Sequence, residues 1–297
     1  MKRSVVTIGI FDGVHMGHLM VIRKVVGRAK AIGAKSIVVT FDPHPLKLFG
    51  NGHLVPSLMS LKHRLNVMKG MGVDSIRVVK FNKRLAGMDP AAFIKNIIRK
   101  ELNAREVFVG EDFCFGKGAG ADIKALERIG GEAGLKVHTV KAVKRGGRVI
   151  SSSEIRRLVV AGRIKEASRL LGRPFSIFGT VVSGAKLARA LGYPTANINP
   201  HHEAMPPSGV YAVRVKLNKK LFKGVMNIGV RPTFYDHGRD VEPSIEVHIF
   251  GFRGNIYGRD LEIIFAKKMR AEKKFDTIDG LIEQVRKDEK AAKKLLL

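Results

Sequence analysis

The sequence has no tryptophan, four tyrosines and a single cysteine, Cys114, in 297 residues. One cysteine excludes an internal disulfide and any zinc site built from several thiolates, and it fits a reducing compartment. No apolar run reaches the roughly 18 residues that a membrane-spanning helix needs. The opening MKRSVVTIGIFDG carries two basic residues and a short apolar run that ends at Asp12, with no small-residue cleavage site. A secretory leader is therefore not expected, and a soluble cytoplasmic protein with no membrane partner is. Acidic residues are scarce too: 26 Asp and Glu stand against 54 Lys and Arg, a formal net charge of +28. That charge attracts anions such as nucleotides, nucleic acid or acidic surfaces. The basic residues are spread along the chain and are not gathered into a stripe interleaved with aromatics, so nucleic acid is a disfavoured partner. What the sequence does have is core material: 45% of its residues are apolar and 27% charged, a globular composition long enough for one large or two ordinary domains.

The first half alternates in period. Ser4–Phe11, Ser36–Phe41, Ser75–Lys80, Glu106–Gly110 and Lys136–Val143 read as strands. Between them Met16–Ile32, Leu58–Met71, Ala91–Leu102 and Asp122–Ala133 read as helices, the first with Leu19, Ile22, Val26 and Ala29 on its inner face. Alternation of this kind predicts an α/β domain with a doubly wound parallel sheet. Ser153–Leu171 adds two short helices around Gly162. After Leu171-Gly172-Arg173-Pro174 the period changes. Short β segments follow at Ser176–Val182, Gly209–Leu217, Phe222–Ile228, Ser244–Phe250 and Asp260–Phe265, with helix again from Thr277. The expectation is a boundary between residues 172 and 173, with a small β-barrel and a terminal helix beyond it.

In an open parallel sheet, ligands sit outside the carboxyl ends of the strands, where the strand order reverses. Four unusual segments fall at such ends: GIFDGVHMGH (9–18), FDPHPL (41–46), GEDFCFG (110–116) and ISSSEIR (150–156). His15 and His18, three apart, are predicted to share one helical face. A helix start offers free N–H groups and partial positive charge to a phosphate, and Gly13 and Gly17 let the backbone come close. Two imidazoles there can stabilise a phosphate oxygen as charge develops on it, with Ser151, Ser152 and Arg156 completing the cradle. No third ligand stands at a fixed spacing from the pair, which argues against a metal there.

These residues carry a resemblance. The pattern GxFDGxHxGH is similar to that of nucleotidyltransferases that move an adenylyl or cytidylyl group. With VVTFDPHPL, GEDFCFG and ISSSEIR it resembles the adenylyltransferase module of bacterial bifunctional riboflavin kinase/FAD synthetases. The resemblance implies that His15 and His18 handle the triphosphate of ATP, assisted by Arg156, and that Gly9, Phe11, Gly13, Ser151 and Ser152 bind ATP. It implies a flavin contact for Asp112, Phe113 and Phe115. Cys114 is expected to be buried filler.

A second constellation lies in GYPTAN (192–197). Thr195 and Asn197, two apart in a strand-like segment, face the same side. Their hydroxyl and amide oxygens are hard ligands suited to Mg²⁺ and phosphate, and Pro194 stiffens the approach. MNIGVRPTF (226–234) places Asn227, Arg231 and Thr233 at a strand-to-loop edge. In SIEVHIF (244–250), Ile245, Val247 and Ile249 alternate with Glu246 and His248. A carboxylate on the inside or rim of a small barrel suits a base that takes the proton of a phosphoryl acceptor. GTVVSG, LGYPTAN, GVYAV, NIGVRPTF, EVHIF and MRAEKKF together resemble riboflavin kinase. The resemblance implies that Thr195 and Asn197 bind MgATP, that Glu246 is the catalytic base, and that Arg270 and Phe275 lie toward the flavin. Two positions depart from the family pattern: Ala188 stands where a loop glycine is usual, and Gly251 where an acid is usual. The expected activity is phosphorylation of riboflavin to FMN and adenylylation of FMN to FAD, with ATP, riboflavin, FMN and FAD as substrates or products and Mg²⁺ as cofactor. The alternatives are a single-activity nucleotidyltransferase with a degenerate flavin-binding barrel, and a basic RNA-binding protein.

Overall fold

A computed structural model describes residues 2–45, 56–184, 193–201, 203–230 and 243–297. The chain divides into two units. The first is Met1–Ile155 with Leu170–Gly172, and the second is Arg156–Arg169 with Arg173–Leu297.

In the first unit, β1 (Ser4–Ile8), β2 (Lys35–Asp42), β3 (Ser75–Lys80), β4 (Ala104–Gly110) and β5 (Lys136–Val140) form a parallel sheet in the order β3-β2-β1-β4-β5. The predicted doubly wound topology is present, and its order reverses beside β1. Every residue of β1 is buried, because the sheet is covered on both faces. Val6 and Ile8 pack into one apolar layer with Ile94, Ile98 and Leu126, while Val5 packs into the other with Val21, Val25 and Ala29. The second layer belongs to α1 (Met16–Ala31). Its buried residues are Val21, Ile22, Val25 and Ala29, whereas Leu19 and Val26 are half-buried. The inner face is therefore centred on the row 21, 25, 29, one residue round from the predicted face.

Further along are α2 (Leu61–Lys69), a π-wound helical segment Phe93–Glu101, and α3 (Ile123–Glu132). β1 stops three residues short of its predicted end, because Phe11 (φ 55°) and Gly13 (φ 77°) turn the chain. The predicted strand Lys136–Val143 ends at Val140. Beyond it a hairpin, β6 (Lys144–Arg145) and β7 (Arg148–Val149), forms around Gly146 (φ 55°) and Gly147 (φ 75°). Two adjacent residues with positive φ give the turn that matches the twist of paired strands. α4 (Ser152–Val160) and α5 (Ile164–Leu171) flank Gly162.

In the second unit, β8 (Ser176–Val182), β9 (Thr195–Asn199), β10 (Gly209–Leu217), β11 (Lys220–Val230), β12 (Pro243–Ile249) and β13 (Asp260–Arg270) close an antiparallel barrel in the order β10-β11-β12-β9-β8-β13. Ile177, Val213, Val215, Met226, Val247 and Ile263 are fully buried. The terminal helix α6 (Ile278–Leu295) lies on the outside, with Ala292 and Leu296 packed against Ala212 of β10. Arg270 fastens it: Nε and Nη2 donate to the Asp288 carboxylate at 2.7–3.1 Å.

Candidate functional site

The first group of predicted residues collects at the carboxyl edge of the parallel sheet. The apolar strand β1 runs into a strained turn. A Cβ on Gly13 would stand 2.8 Å from Leu58 Cδ1, so the φ of 77° and the tight packing both call for glycine. Asp12 is buried in that turn, and its two carboxylate oxygens accept from Leu58 N and Met59 N at 3.1 Å each. The chain then enters α1 through His15, whose extended backbone marks the helix start. His15 thus precedes the helix, and does not project from it as predicted. It still meets His18: the two rings stack with centroids 3.6 Å apart and planes 19° from parallel. His15 is buried and His18 half-buried, and Phe11 sets its edge against His18 at 5.2 Å. A Cβ on Gly17 would come within 3.2 Å of the His15 ring, and one on Gly9 within 3.0 Å of the Phe11 ring. The paired imidazoles lie beside the first turn of a 16-residue helix, where backbone N–H groups favour an anion.

Ser152 joins this edge, its hydroxyl donating to the Asp12 carbonyl at 2.8 Å. Ser151 accepts from Glu154 N at 3.2 Å and so caps α4. Arg156, half-buried, follows Ser152 by one helical turn on α4.

One contributor to this edge is absent from the sequence reading. Arg64, on α2, is 4% exposed and donates to two carbonyls, Ile10 O just beyond β1 at 2.6 Å and Phe41 O near the end of β2 at 2.9 Å. Thr40 Oγ1 donates to the same Ile10 carbonyl at 3.0 Å. Burial lowers the Arg64 pKa from its ordinary value, while Asp12 and Asp42 act in the opposite direction. Arg64 therefore ties the ends of β1 and β2 together beneath the histidine turn. The signal available in the sequence was the pair His63-Arg64 within an otherwise apolar helix face.

The loop GEDFCFG divides by alternation. Phe115 is buried in the sheet's apolar layer, and Phe113, half-buried, stacks on it at 5.5 Å. Asp112 and Cys114 are exposed. The expectation that Cys114 is buried filler is overturned: Cys114 is exposed, and the residues on either side of it, Phe113 and Phe115, are the ones that turn inward. Of the flavin candidates here, Asp112 and Phe113 are surface-accessible and Phe115 supports Phe113 from within.

The second group lies on three neighbouring barrel strands. The register places Glu246 of β12 between Asn227 of β11 and Asn197 of β9. Ile245, Val247 and Ile249 fill the interior, so the period-two alternation turns Glu246 to the outer face, half-exposed, and not to the barrel's inside. There Thr195 Oγ1 donates to Glu246 Oε2 at 3.2 Å. Asn197 is 9% exposed. A Cβ on Gly184 would lie 2.0 Å from Asn197 Nδ2, so the absent side chain of Gly184 makes room for the amide. Thr195, Asn197 and Gly184 line a cavity of about 610 Å³ with Phe252, Arg253 and Tyr257. Asn227 Nδ2 donates to Glu272 Oε1 at 3.4 Å. Gly251 has φ 66° and open space around it. Arg270 points its guanidinium at Asp288 and at the Ala271 carbonyl, an arrangement that holds α6. Arg231, Thr233 and Ala188 lie outside the described residues.

The oxygen donors Thr195, Asn197 and Glu246 are hard and grouped, which fits Mg²⁺. Among the described residues no cluster of three or more His, Cys, Asp or Glu is placed to hold a metal ion.

Comparison with known proteins follows the same division. Residues 1–154 match the FAD synthetase family and residues 171–296 the riboflavin kinase family. The bifunctional riboflavin kinase/FMN adenylyltransferase of Pseudomonas fluorescens is 37% identical over 294 residues, covering 99% of this chain and 93% of its own. The protein of that name from Bacillus subtilis (strain 168) is 38% identical over 297 residues, covering 98% and 92%. A solved structure from Streptococcus pneumoniae, described as a macrolide-efflux protein, is 30% identical with a TM-score of 0.83 and covers 98% of this chain and 94% of its own. Among the described residues no helix is long and apolar enough to cross a membrane.

Proposed function

The chain belongs to the family of bifunctional riboflavin kinase/FMN adenylyltransferases, and from that membership we propose which residues carry each of its two reactions. It is an enzyme of flavin biosynthesis that phosphorylates riboflavin to FMN with ATP and adenylylates FMN to FAD with release of pyrophosphate. Matches to both families on one chain disfavour the single-activity and RNA-binding alternatives. Adenylyl transfer is assigned to residues 1–172 and phosphoryl transfer to residues 173–297.

In the kinase step, Glu246 accepts the proton of the terminal ribityl hydroxyl as that oxygen attacks the γ-phosphorus of ATP, and ADP leaves. Thr195 and Asn197 bind the nucleotide phosphates and would hold Mg²⁺ through the hydroxyl and amide oxygens. Bound there, Mg²⁺ supplies charge neutralisation on the phosphates. The hydrogen bond from Thr195 keeps the Glu246 carboxylate aimed along the face that receives the acceptor hydroxyl.

In the adenylyl step, a phosphate oxygen of FMN attacks the α-phosphorus of ATP. His15 and His18 stabilise the charge that builds on the phosphorus oxygens, and the N–H groups at the start of α1 add to it. Gly9, Phe11 and Gly13 shape the nucleotide seat. Ser151, Ser152 and Arg156 are assigned to the departing diphosphate, and Asp112 and Phe113 to the flavin. Arg270 is assigned to holding the terminal helix and not to the flavin. The net charge of +28 serves polyanionic small-molecule substrates, with no nucleic-acid partner required. A cytoplasmic location fits the lone, exposed cysteine.

The observation that carries this reading is the 3.2 Å contact of Thr195 with Glu246, two predicted site residues that lie 51 positions apart. The test is one mixture of protein, riboflavin, ATP and Mg²⁺, with the flavins separated over time. FMN is expected first and FAD after it. A protein that turns over ATP without producing either flavin refutes the reading.

A further inference from the structure

β9 is held unevenly. β12 pairs with it from Thr195, opposite His248, to Asn197, opposite Glu246. On its other side β8 pairs only with Asn197–Asn199. Thr195 therefore stands at the end of a ladder with one described partner strand. The residue before it, Pro194, has no N–H and cannot extend that ladder. A side chain takes over: His248 Nδ1 lies 2.9 Å from the Pro194 carbonyl oxygen. A carbonyl only accepts, so the imidazole is the donor. Tyr193 sets its ring edgewise to the same imidazole, centroids 5.7 Å apart and planes at 69°. The barrel interior does not employ this ring. Val247 and Ile249 on either side are buried, while His248 faces outward and is half-exposed.

His248 is two residues from Glu246 on the same strand and therefore on the same face. We infer that His248 is a positioning residue of the kinase step: by gripping the Pro194 carbonyl it fixes where Thr195 stands relative to Glu246. This inference rests on the assignment of Glu246 as base and Thr195 as nucleotide contact. One strand then carries both the base and the anchor of the arm that faces it. The spacing between the two halves of the site is set by two residues of β12. Loss of the anchor leaves the terminal pair of a ladder to fray. A misplacement of about 1 Å in such a site costs on the order of 100-fold in rate.

Two substitutions separate the donor from the ring. His248→Asn keeps an N–H donor close to the position of Nδ1 and loses the ring. His248→Phe keeps a ring for Tyr193 and loses the donor. Kinase kcat and KM for MgATP are measured for both, with FAD formation from supplied FMN as the control for a folded, active chain and Glu246→Gln as the control for the assignment itself. The expected result is near-normal phosphorylation by His248→Asn, and in His248→Phe a KM for MgATP raised about tenfold with a lower kcat, adenylyl transfer being unchanged in both. The inference is overturned if the two variants match the wild type, if they lose activity equally, or if Asn is the worse of the two. Full kinase activity in Glu246→Gln refutes the underlying assignment and not the anchor. The anchor is then read by hydrogen exchange at residues 193–197, which must accelerate in His248→Phe and not in His248→Asn.

Discussion

The imidazoles of His15 and His18 stack face to face, 3.6 Å between centroids, across the entrance to α1. The pair is one unit built from two places: His15 belongs to the strained turn that ends the β1 connection, and His18 to the helix. Gly17 lets the His15 ring lie against the helix backbone. A pair held this way would need no reorganisation to stabilise charge in the role proposed for it.

Replacing both rings tests their role. His15→Ala with His18→Ala is expected to lower FAD formation from FMN by about 100-fold or more, while riboflavin phosphorylation continues at its normal rate. Steady-state assays of each half-reaction, run on protein that melts like the wild type, check this. Equal loss of both activities contradicts the division of labour.

The converse applies to the barrel. Glu246→Gln is nearly isosteric and keeps a hydrogen-bond partner for Thr195, but it cannot take a proton. FMN formation is expected to fall by about 100-fold or more, with FAD formation from supplied FMN untouched. A normal kinase rate in this variant removes Glu246 from the chemistry.

Legibility differed with the kind of information involved. The parallel sheet was readable because strands alternate with helices, and its strands are indeed apolar on both faces at Val5-Val6, Val38-Val39 and Val107-Phe108-Val109. The barrel strands were readable from alternation such as Ile245-Glu246-Val247-His248-Ile249. Motif spacing pointed to the histidine turn and to Thr195 with Asn197. The side of β12 on which Glu246 lies relative to the barrel was not readable, since alternation shows that two faces exist and not which one is inside. Arg64 was hidden for a related reason: a buried cation is explained by the carbonyls of Ile10 and Phe41, which are far from it in sequence. Arg270 was singled out only by the family resemblance, and its ion pair was not readable, since its partner Asp288 lies on the terminal helix.

That clamp has its own expected outcome. Asp288 is 9% exposed at its side chain, and removing its cation leaves a nearly buried charge uncompensated. Arg270→Met is expected to destabilise the barrel unit by about 3 kcal/mol, seen in chemical denaturation, with KM for riboflavin unchanged. A raised KM for riboflavin at unaltered stability assigns Arg270 to the flavin instead.

A pH dependence follows from the first unit. Glu106, 6% exposed, accepts from Arg28 Nη2 at 2.7 Å and pairs with His138 Nε2 at 2.7 Å. The hydrogen bond from Arg28, more than the one from His138, holds its carboxyl below the ordinary value of 4.5, against the opposing effect of burial. A carboxylate depressed in the folded state stabilises fully above the unfolded pKa and loses that contribution as pH falls through the lower folded value. The melting-temperature difference between wild type and Glu106→Gln is therefore expected to be constant at neutral pH and to shrink below about pH 4.5. Calorimetry across that range reads it directly, and a difference that grows with acidification contradicts it.

The most direct measurement follows phosphorus. Riboflavin and Mg²⁺ are supplied with ATP labelled at the γ-phosphorus in one reaction and at the α-phosphorus in another. Among the flavins, the γ label is expected in FMN and to persist in FAD, and the α label in FAD only; the rest of the α label leaves in ADP and the rest of the γ label in pyrophosphate. Glu246→Gln should abolish γ transfer, yet place the α label in FAD when FMN is supplied. An α label in FMN contradicts two separate phosphate-handling sites on this chain, as does one substitution that erases both transfers in protein that still melts like the wild type.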